Sequence, residues 1–463
     1  MLDQSAPISS NLIKELSTSI AWKYRVFPKM AEGRRLVLYA DAQEPEMLAR
    51  QLSVITGKEI HIEVADSEWI GSQLTRYYIR SGGDTVRSLN VNSDEFIGEM
   101  ISEANELGCS DIHIEKYQDR SRIRMRLDGK LIERYELKKE KYHEYVNKIK
   151  IISNLDIAEK RLPQDGRILI KNAKGQYDIR VSVLPTLFGE KVVLRLLSSD
   201  ASNLDIRQLG LNAGQIKLFL ESISRPQGMV LISGPTGSGK TTTLYGALKY
   251  LNVPTTNILT IEDPIEYTLD GINQVQLNEK VGLDFATTLR TFLRQDPDII
   301  MVGEIRDVDT ARIAIRAAMT GHLVMSTLHT NSAIGIISRL MEMGIPEYLI
   351  ADTLNVAVAQ RLLRRLCPAC KHRQSDLSQL PEILKNSQID CYFTPVGCSE
   401  CHGTGYKGRM AIYEMVNITE TNKELIFSKP DQYSSENGSL MTSAIEQFEQ
   451  GETSLEEIYT YLL

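Results

Sequence analysis

The chain has 463 residues, of which 42% are hydrophobic and 24% charged. These values predict about three globular domains and exclude both a small disulfide-held scaffold and wholesale disorder. The 53 basic and 60 acidic residues give a net charge of −7, which argues against a surface built throughout to neutralise nucleic-acid phosphates. No apolar run approaches the ~18 residues of a membrane span, and the start, MLDQS, forms no signal peptide. We therefore expect a cytosolic protein.

The N-terminal region, residues 1–85, mixes short apolar and polar runs and contains no recognisable catalytic or binding motif. It closes in Ser81-Gly82-Gly83-Asp84, a composition typical of a linker. We expect a small N-terminal domain over residues 1–85.

The second region, residues 90–200, changes from helical to strand-like periodicity. Apolar side chains follow helical spacing after Asn92 and two-residue spacing from Ile112 to Leu127, where Asp128-Gly129 predicts a β-hairpin. The pattern predicts an α+β domain. Its further strands are expected at residues 167–170, 177–183 and 191–197.

The third region, residues 204–463, begins with a linker and an amphipathic helix that together occupy residues 204–220. Four short apolar runs follow, with helical patterns between them. They are residues 229–232, 258–261, 299–302 and 323–326. Buried strands that alternate with helices are typical of an α/β sheet with crossover connections.

A phosphate-binding loop is predicted between the first of these runs and the helix after it. Its glycines let the backbone wrap around phosphates, Lys240 supplies a positive charge, and the Thr241 hydroxyl is a ligand for Mg²⁺. The pattern predicts a nucleotide site. Its residues are Gly234, Pro235, Thr236, Gly237, Ser238, Gly239, Lys240 and Thr241, followed by Thr242.

Carboxylates follow two of the other apolar runs. Glu262-Asp263-Pro264-Ile265-Glu266 comes directly after one, and Glu304 comes after another. A single acidic cluster of this kind is equally well explained as solvated charge on a loop. Two clusters, each at the end of a buried strand downstream of a phosphate loop, favour a site for nucleotide hydrolysis.

Two Cys-x₂-Cys pairs, Cys367/Cys370 and Cys398/Cys401, are separated by 27 residues. Two such turns can place four thiolates around one metal with no open position, and Zn²⁺ is the expected metal of such a structural site. We expect a zinc subdomain over residues 365–405. Two further cysteines, Cys109 and Cys391, are interpreted as ordinary thiols.

Four segments of the chain together resemble the secretion ATPases, and most closely the assembly motors of type II secretion systems and type IV pili. They are GPTGSGKTTTLY (234–245), TIEDPIEY (260–267), LRQDPDIIMVGEIRD (293–307) and TGHLVMSTLHT (320–330). The resemblance implies a RecA-like P-loop motor domain after an α+β, PAS-like domain. It further implies ATP hydrolysis with Mg²⁺ by a homo-hexamer.

The resemblance also implies roles for individual residues. Glu262 and Glu266 match the family's acidic box, in which Glu266 would be the general base. Glu304 matches its Walker B site. His322 and His329 match a histidine box that would sense the γ-phosphate or position catalytic groups.

Two pairs of arginines match residues that the family directs to the nucleotide. Arg180 and Arg195 lie in the α+β domain, whereas Arg290 and Arg294 lie in the motor domain. The spacing of the second pair predicts that both lie on one helix face. Without the resemblance, all four are as well explained as solvated surface charges.

The resemblance further implies a protein at the cytoplasmic face of the inner membrane, peripheral to it and docked through the N-terminal domain onto a membrane-embedded platform. The tetracysteine element and the run 405–414 favour assembly over retraction. A nucleic-acid motor is the alternative, because phosphate-loop rings also move DNA. Against it stands the net charge, and the basic runs are confined to residues 120–126 and 361–365. A third hypothesis is a scaffold that binds ATP without turnover.

Overall fold

The computed structural model describes most of the chain, and the predicted linker at residues 81–84 lies outside the described residues. The described residues are 10–13, 15–16, 20–21, 24–41, 44–77, 87–88, 93–172, 175–197, 205–377, 380–385, 389–430, 433, 435 and 438–462. Within these ranges, no helix is both long and apolar enough to cross a bilayer.

The N-terminal part forms a three-stranded sheet in the order β1-β2-β3, with β1 antiparallel and β3 parallel to β2. The Trp69 ring packs edge-on against Phe27 and Tyr39, with centroids 6.0 and 5.1 Å apart. These rings join helix α3 to the sheet. The elements are α1 (Ser10–Ile13), β1 (Val26–Glu32), β2 (Arg35–Ala40), α2 (Pro45–Thr56), β3 (Glu59–Val64) and α3 (Ser67–Tyr77).

The second part is a seven-stranded sheet in the order β4-β7-β6-β5-β10-β9-β8, antiparallel except for the β4–β7 pair. It confirms the predicted helix, hairpin and three later strands. The elements are β4 (Arg87–Ser88), α4 (Ser93–Glu106), β5 (Asp111–Lys116), β6 (Ser121–Leu127), β7 (Lys130–Leu137), α5 (Tyr142–Ile152), β8 (Gln164–Asn172), β9 (Gly175–Thr186) and β10 (Gly189–Leu197).

The two faces of this second sheet differ in chemistry. On β5, Ile112 and Ile114 are buried in one apolar cluster together with residues of α4 and α5. Because side chains alternate along a strand, Asp111 and Glu115 lie on the opposite face. The arginines of β6, β9 and β10 lie on the same face as these two carboxylates.

The third part is a seven-stranded sheet in the order β13-β12-β14-β15-β11-β16-β19, in which only the β16–β19 pair is antiparallel. It confirms the α/β prediction. Its first elements are α6 (Ala213–Ile223), β11 (Gly228–Ser233), α7 (Lys240–Leu251), β12 (Ile258–Glu262), β13 (Asn273–Gln276), α8 (Phe285–Phe292), β14 (Ile299–Val302), α9 (Val308–Met319) and β15 (Leu323–Leu328).

The strands β11, β12, β14 and β15 contain the four predicted apolar runs and are buried along their whole length. Apolar clusters cover both faces of the sheet, which is why these strands read as continuous apolar runs rather than as an alternation. The carboxyl ends of parallel strands share one edge. The phosphate loop and both acidic segments therefore meet at that edge.

The C-terminal part extends the sheet and carries the cysteines. The long strand β16 ends at Leu366, directly before Cys367, and β19 begins at Tyr406, shortly after Cys401. The remaining elements are α10 (Ala333–Glu342), α11 (Glu347–Thr353), β16 (Leu354–Leu366), β17 (His372–Gln374), α12 (Glu382–Lys385), β18 (Tyr392–Thr394), β19 (Tyr406–Val416), α13 (Lys423–Ser428), α14 (Leu440–Glu449) and α15 (Leu455–Leu462).

Candidate nucleotide site and cysteine cluster

The loop between β11 and α7 is shaped by glycines. Gly234 and Gly239 have φ angles of 150° and 87°. A Cβ atom on Gly234 would lie 2.5 Å from the Gln360 carbonyl oxygen, and one on Gly239 would lie 2.8 Å from Nε2 of the same residue. Only glycine fits both positions. Ser238 Oγ is buried here and has no hydrogen-bond partner among the described residues, so it remains able to bind a phosphate oxygen.

Lys240 is the first residue of helix α7, and its ammonium group is held inside the same loop. Its Nζ donates to the carbonyl oxygens of Gly234 and Pro235 at 2.7 and 3.2 Å. Burial lowers the pKa of Lys240; the Glu304 carboxylate opposes this effect and Arg361 adds to it. A cation held among carbonyl oxygens at a helix N-terminus fits a phosphate group.

The remaining loop residues flank this cation. Pro235, Thr236 and Gly237 form the exposed tip of the loop. Thr241 and Thr242 lie in the first turn of α7. The predicted strand–loop–helix arrangement is therefore present.

Glu304 follows β14 and is brought to the loop together with His329. The distance from Glu304 Oε2 to His329 Nε2 is 3.2 Å. Arg306 donates to the other Glu304 oxygen and lies 3.4 Å from Asp263 Oδ2. Burial would raise the pKa of Glu304, but Arg306 and His329 outweigh it and hold that pKa below its ordinary value. The carboxyl is therefore ionised at neutral pH.

Glu262 ends β12 and is only 3% exposed. Its carboxylate accepts hydrogen bonds from the Tyr245 hydroxyl, from Thr260 Oγ1 at 2.6 Å and from Gln274 Nε2 at 3.1 Å. The group is thus engaged by three protein donors. It is placed to hold the segment 262–266 rather than to meet a substrate.

Glu266, four residues further on, keeps 38% of its side chain exposed. Arg180 from the second sheet reaches it: Nη1 lies 4.0 Å from Glu266 Oε2, and Nη2 donates to the Ile265 carbonyl oxygen at 2.8 Å. An exposed carboxylate beside a cation can contact a water molecule. The structure therefore joins the second sheet to the acidic segment.

Arg195 lies directly opposite Arg180 in the β9–β10 register. Its Nε donates to Asp111 Oδ1 at 3.1 Å, and more than half of its side chain is exposed. It shares the face of the sheet that Arg180 uses. Among the described residues, Arg195 forms an ion pair with Asp111 alone.

His322 is placed differently from His329. It precedes β15, and its Nδ1 lies 2.9 Å from the Ala317 carbonyl oxygen. The strand Leu323–Leu328 separates the two histidines, and six residues at about 3.3 Å each span about 20 Å. His322 therefore lies at the opposite edge of the sheet, which does not fit contact with a phosphate bound to the same chain.

The prediction that Arg290 and Arg294 share a helix face is wrong. Helix α8 ends at Phe292, so Arg294 lies outside it. Shortly afterwards come Asp296, which has a φ of 50°, and Pro297, neither of which continues a helix. The Arg294 side chain turns back and donates to the Arg290 carbonyl oxygen at 3.2 Å. Both side chains are exposed.

Sequence reasoning missed Arg361 at this site. Its Nη2 donates to the Asn331 carbonyl oxygen at 2.9 Å, and its Nη1 would lie 3.1 Å from a Cβ atom on Gly234. No local sequence signal points to it, because its position depends on the pairing of β16 with β11 and on the continuation of β16 beyond the end of β11 to the loop. From sequence alone the residue belongs to a basic run beside the cysteines.

The four paired cysteines form one cluster. Their sulfur atoms all lie within 4.8 Å of one another, and three pairs are 3.7 to 3.9 Å apart. Tetrahedral zinc, with Zn–S bonds of about 2.3 Å, requires S···S distances of about 3.8 Å. Backbone N–H groups of Gly397 and Gly405 donate to Cys370 and Cys401 at 3.3 and 3.2 Å, which suits thiolate ligands.

A largely parallel sheet with a glycine-shaped phosphate loop after the inner strand β11, and with carboxylates after β12 and β14 at the same edge, defines the class of RecA-like P-loop ATPases. Residues 91–460 match the family described as "Type II/IV secretion system protein". The chain belongs to this family.

Two relatives extend this assignment beyond the matched residues. The type IV pilus assembly ATPase PilB of Myxococcus xanthus is 42% identical, over 97% of this chain and 86% of the relative. The type II secretion system ATPase E of Vibrio cholerae is 38% identical, over 98% of this chain and 97% of the relative.

Solved structures show the same fold. The ATPase DotB of Legionella pneumophila superposes with a TM-score of 0.60 at 21% identity, covering 82% of this chain and 99% of that one. The pilus retraction motor PilT, solved with bound ADP, gives a TM-score of 0.52 at 27% identity, covering 78% of this chain and 95% of that one.

Proposed function

We propose that this chain hydrolyses ATP, as a ring of six copies, to drive pseudopilus or pilus assembly in a type II secretion or type IV pilus system. The observation that carries the proposal is that Lys240, Glu304 and Glu266 all follow the carboxyl ends of parallel strands at one edge of the motor sheet, where Arg180 of the second sheet reaches Glu266. The names of the two relatives support the choice of machine.

The residues of the chain divide the reaction between them. Lys240 and the α7 N-terminus bind the β- and γ-phosphates. Thr241 and Glu304 would hold Mg²⁺, which neutralises phosphate charge when it is bound. Glu266 orients the attacking water and accepts its proton at a carboxylate oxygen. Arg180 holds the backbone of this base and adds positive charge beside it.

The main basic run does not favour the nucleic-acid alternative. Arg122 and Arg124 pair with Glu115 at 3.2 and 2.8 Å, and Arg126 pairs with Asp111 at 3.3 Å. These cations are neutralised by carboxylates of the neighbouring strand. A motor that tracks a phosphate backbone needs its cations unpaired. Stimulation by DNA with a steep salt dependence would favour that alternative.

The cysteine cluster supports a structural Zn²⁺ site, because the sulfur distances match tetrahedral coordination and no fifth ligand is needed. Within the family resemblance this element is typical of assembly motors. We therefore favour assembly over retraction. The N-terminal domain, residues 1–85, is proposed to dock on the cytoplasmic part of a membrane-embedded platform, with the motor peripheral to the membrane.

A Glu266→Gln substitution tests the enzymatic proposal. The amide keeps the size of the side chain but cannot accept the proton, so ATP turnover should fall at least a hundredfold while ATP binding stays within about threefold. Glu279→Gln, on an exposed turn of the same domain, is the matched control and should retain wild-type turnover. Near-zero turnover in both the wild type and Glu266→Gln would instead support the scaffold hypothesis.

The choice of machine needs a different experiment. Residues 1–85 within the full chain should co-purify with one platform protein from the source cell. A secretion-platform protein and a pilus-platform protein place the motor in different machines. Failure to bind either, with ATP turnover intact, would overturn the docking proposal alone.

A further inference from the structure

Tyr245 lies on α7, the helix that follows the phosphate loop. Its side chain is fully buried, and its hydroxyl is hydrogen-bonded. The hydroxyl donates to Glu262, so it joins α7 to the end of β12. Burial, and then Glu262, raise the pKa of Tyr245, which keeps the hydroxyl protonated as a donor.

The same hydroxyl lies close to the other end of the acidic segment. A hydrogen bond from the backbone amide of Glu266 to the Tyr245 hydroxyl partly opposes the rise in the pKa of Tyr245. Gln274 Nε2 lies 3.5 Å from the hydroxyl and donates to the Tyr267 carbonyl oxygen at 3.2 Å. The Tyr267 ring in turn packs edge-on against Tyr245, with centroids 4.6 Å apart.

We propose that Tyr245 and Gln274 are positioning residues for the hydrolysis of ATP, because they tie the phosphate-loop helix to both ends of the segment that carries Glu266. Neither residue belongs to the phosphate loop: Tyr245 lies on α7 and Gln274 on β13. The inference rests on the proposed function of Glu266 as the base. It assigns Glu262 the role of the buried acceptor in this tie.

The physical reason is geometric. Lys240 and Tyr245 lie on one helix, so a phosphate held at the helix start and the acidic segment tied to Tyr245 through Glu262 keep a fixed separation. A base displaced by about 1 Å loses much of its effect on the attacking water, whereas phosphate binding is unaffected. Loss of the tie should therefore lower kcat and leave KM unchanged.

Tyr245→Phe in the full chain tests this, because phenylalanine keeps the ring packed against Tyr267 and removes only the hydroxyl. We expect kcat for ATP to fall about tenfold or more, with KM and the affinity for ADP within twofold. Tyr142→Phe is the control: Tyr142 is also buried and donates to the Ile114 and Glu190 carbonyl oxygens. It should lower thermal stability comparably and leave kcat within twofold.

Gln274→Leu is the second variant, should Tyr245→Phe fail to fold, and it should show the same fall in kcat at constant KM. An unchanged kcat, or equal losses in kcat and nucleotide affinity, would overturn the positioning role. A kcat loss in Tyr142→Phe as large as that in Tyr245→Phe would also overturn it, since general destabilisation then suffices. Absence of turnover in the wild type would refute the proposed function itself, which is a separate outcome.

Discussion

Arg180 makes the contact that joins the second sheet to the acidic segment of the motor. Replacing it with alanine removes the hydrogen bond to the Ile265 carbonyl and the cation beside Glu266. The charged donor is worth about 1.5–3 kcal/mol. The ion pair, at 4.0 Å between partly exposed groups, adds less than about 1 kcal/mol.

Together these terms predict a loss of about 2–3 kcal/mol in transition-state stabilisation, which corresponds to a fall in kcat/KM of about 30- to 150-fold. The assay is steady-state phosphate release from ATP by the full chain. Arg180→Lys should recover part of the activity, because lysine keeps the charge but not the planar fork of donors.

Arg167→Ala is the control for Arg180→Ala. Arg167 lies opposite Arg180 in the β8–β9 register and pairs with Asp178. The Arg167→Ala substitution removes the same charge from the same sheet and should leave kcat/KM within twofold. Equal losses for both variants would refute the reasoning, because the effect would then follow the charge of the sheet and not the contact with the acidic segment.

Three further outcomes are expected. Gly234→Ala should weaken ATP binding at least tenfold in a fluorescent-nucleotide titration, because its Cβ would lie 2.5 Å from a carbonyl oxygen. Gly237 also has a positive φ, of 81°, but a Cβ there meets no atom within 4 Å, so Gly237→Ala carries the backbone strain without the clash; a smaller loss in Gly234→Ala than in Gly237→Ala would contradict this. Cys401→Ser should abolish bound zinc measured by atomic absorption, and Cys391→Ser should retain about one zinc per chain. Burial would raise the pKa of Glu115, but Arg124 and Lys191 outweigh it and bring it from 4.5 to about 2. Its carboxylate thus contributes about 3 kcal/mol above pH 4.5, lost as the pH falls towards 2. In denaturant unfolding, Glu115→Gln should be less stable than the wild type at pH 7 and nearly equal at pH 2.

The motor sheet could be predicted from sequence because its parallel strands are covered on both faces. Such strands are continuously apolar, so Met229 to Ile232 and its three counterparts were recognisable. The meeting of Lys240 with Glu304 also followed from sequence, since the carboxyl ends of parallel strands share an edge.

Other parts of the site depend on features that periodicity does not report. Arg361 reaches the phosphate loop only because β16 pairs with β11, and strand order cannot be read from local spacing. Arg294 lies two residues beyond the end of its helix. His322 and His329 lie at opposite ends of one strand. The contact of Arg180 joins two sheets, and only the family resemblance pointed to it.

A crystal structure of the full chain with Mg²⁺ and a non-hydrolysable ATP analogue would test the central claim most directly. We predict that Lys240 Nζ leaves the carbonyl oxygens of Gly234 and Pro235 and binds the β- and γ-phosphates, with Thr241 and Glu304 at the metal and Glu266 facing the γ-phosphate. Nucleotide bound elsewhere, or Lys240 still bonded to the two carbonyls with the analogue present, would contradict the account.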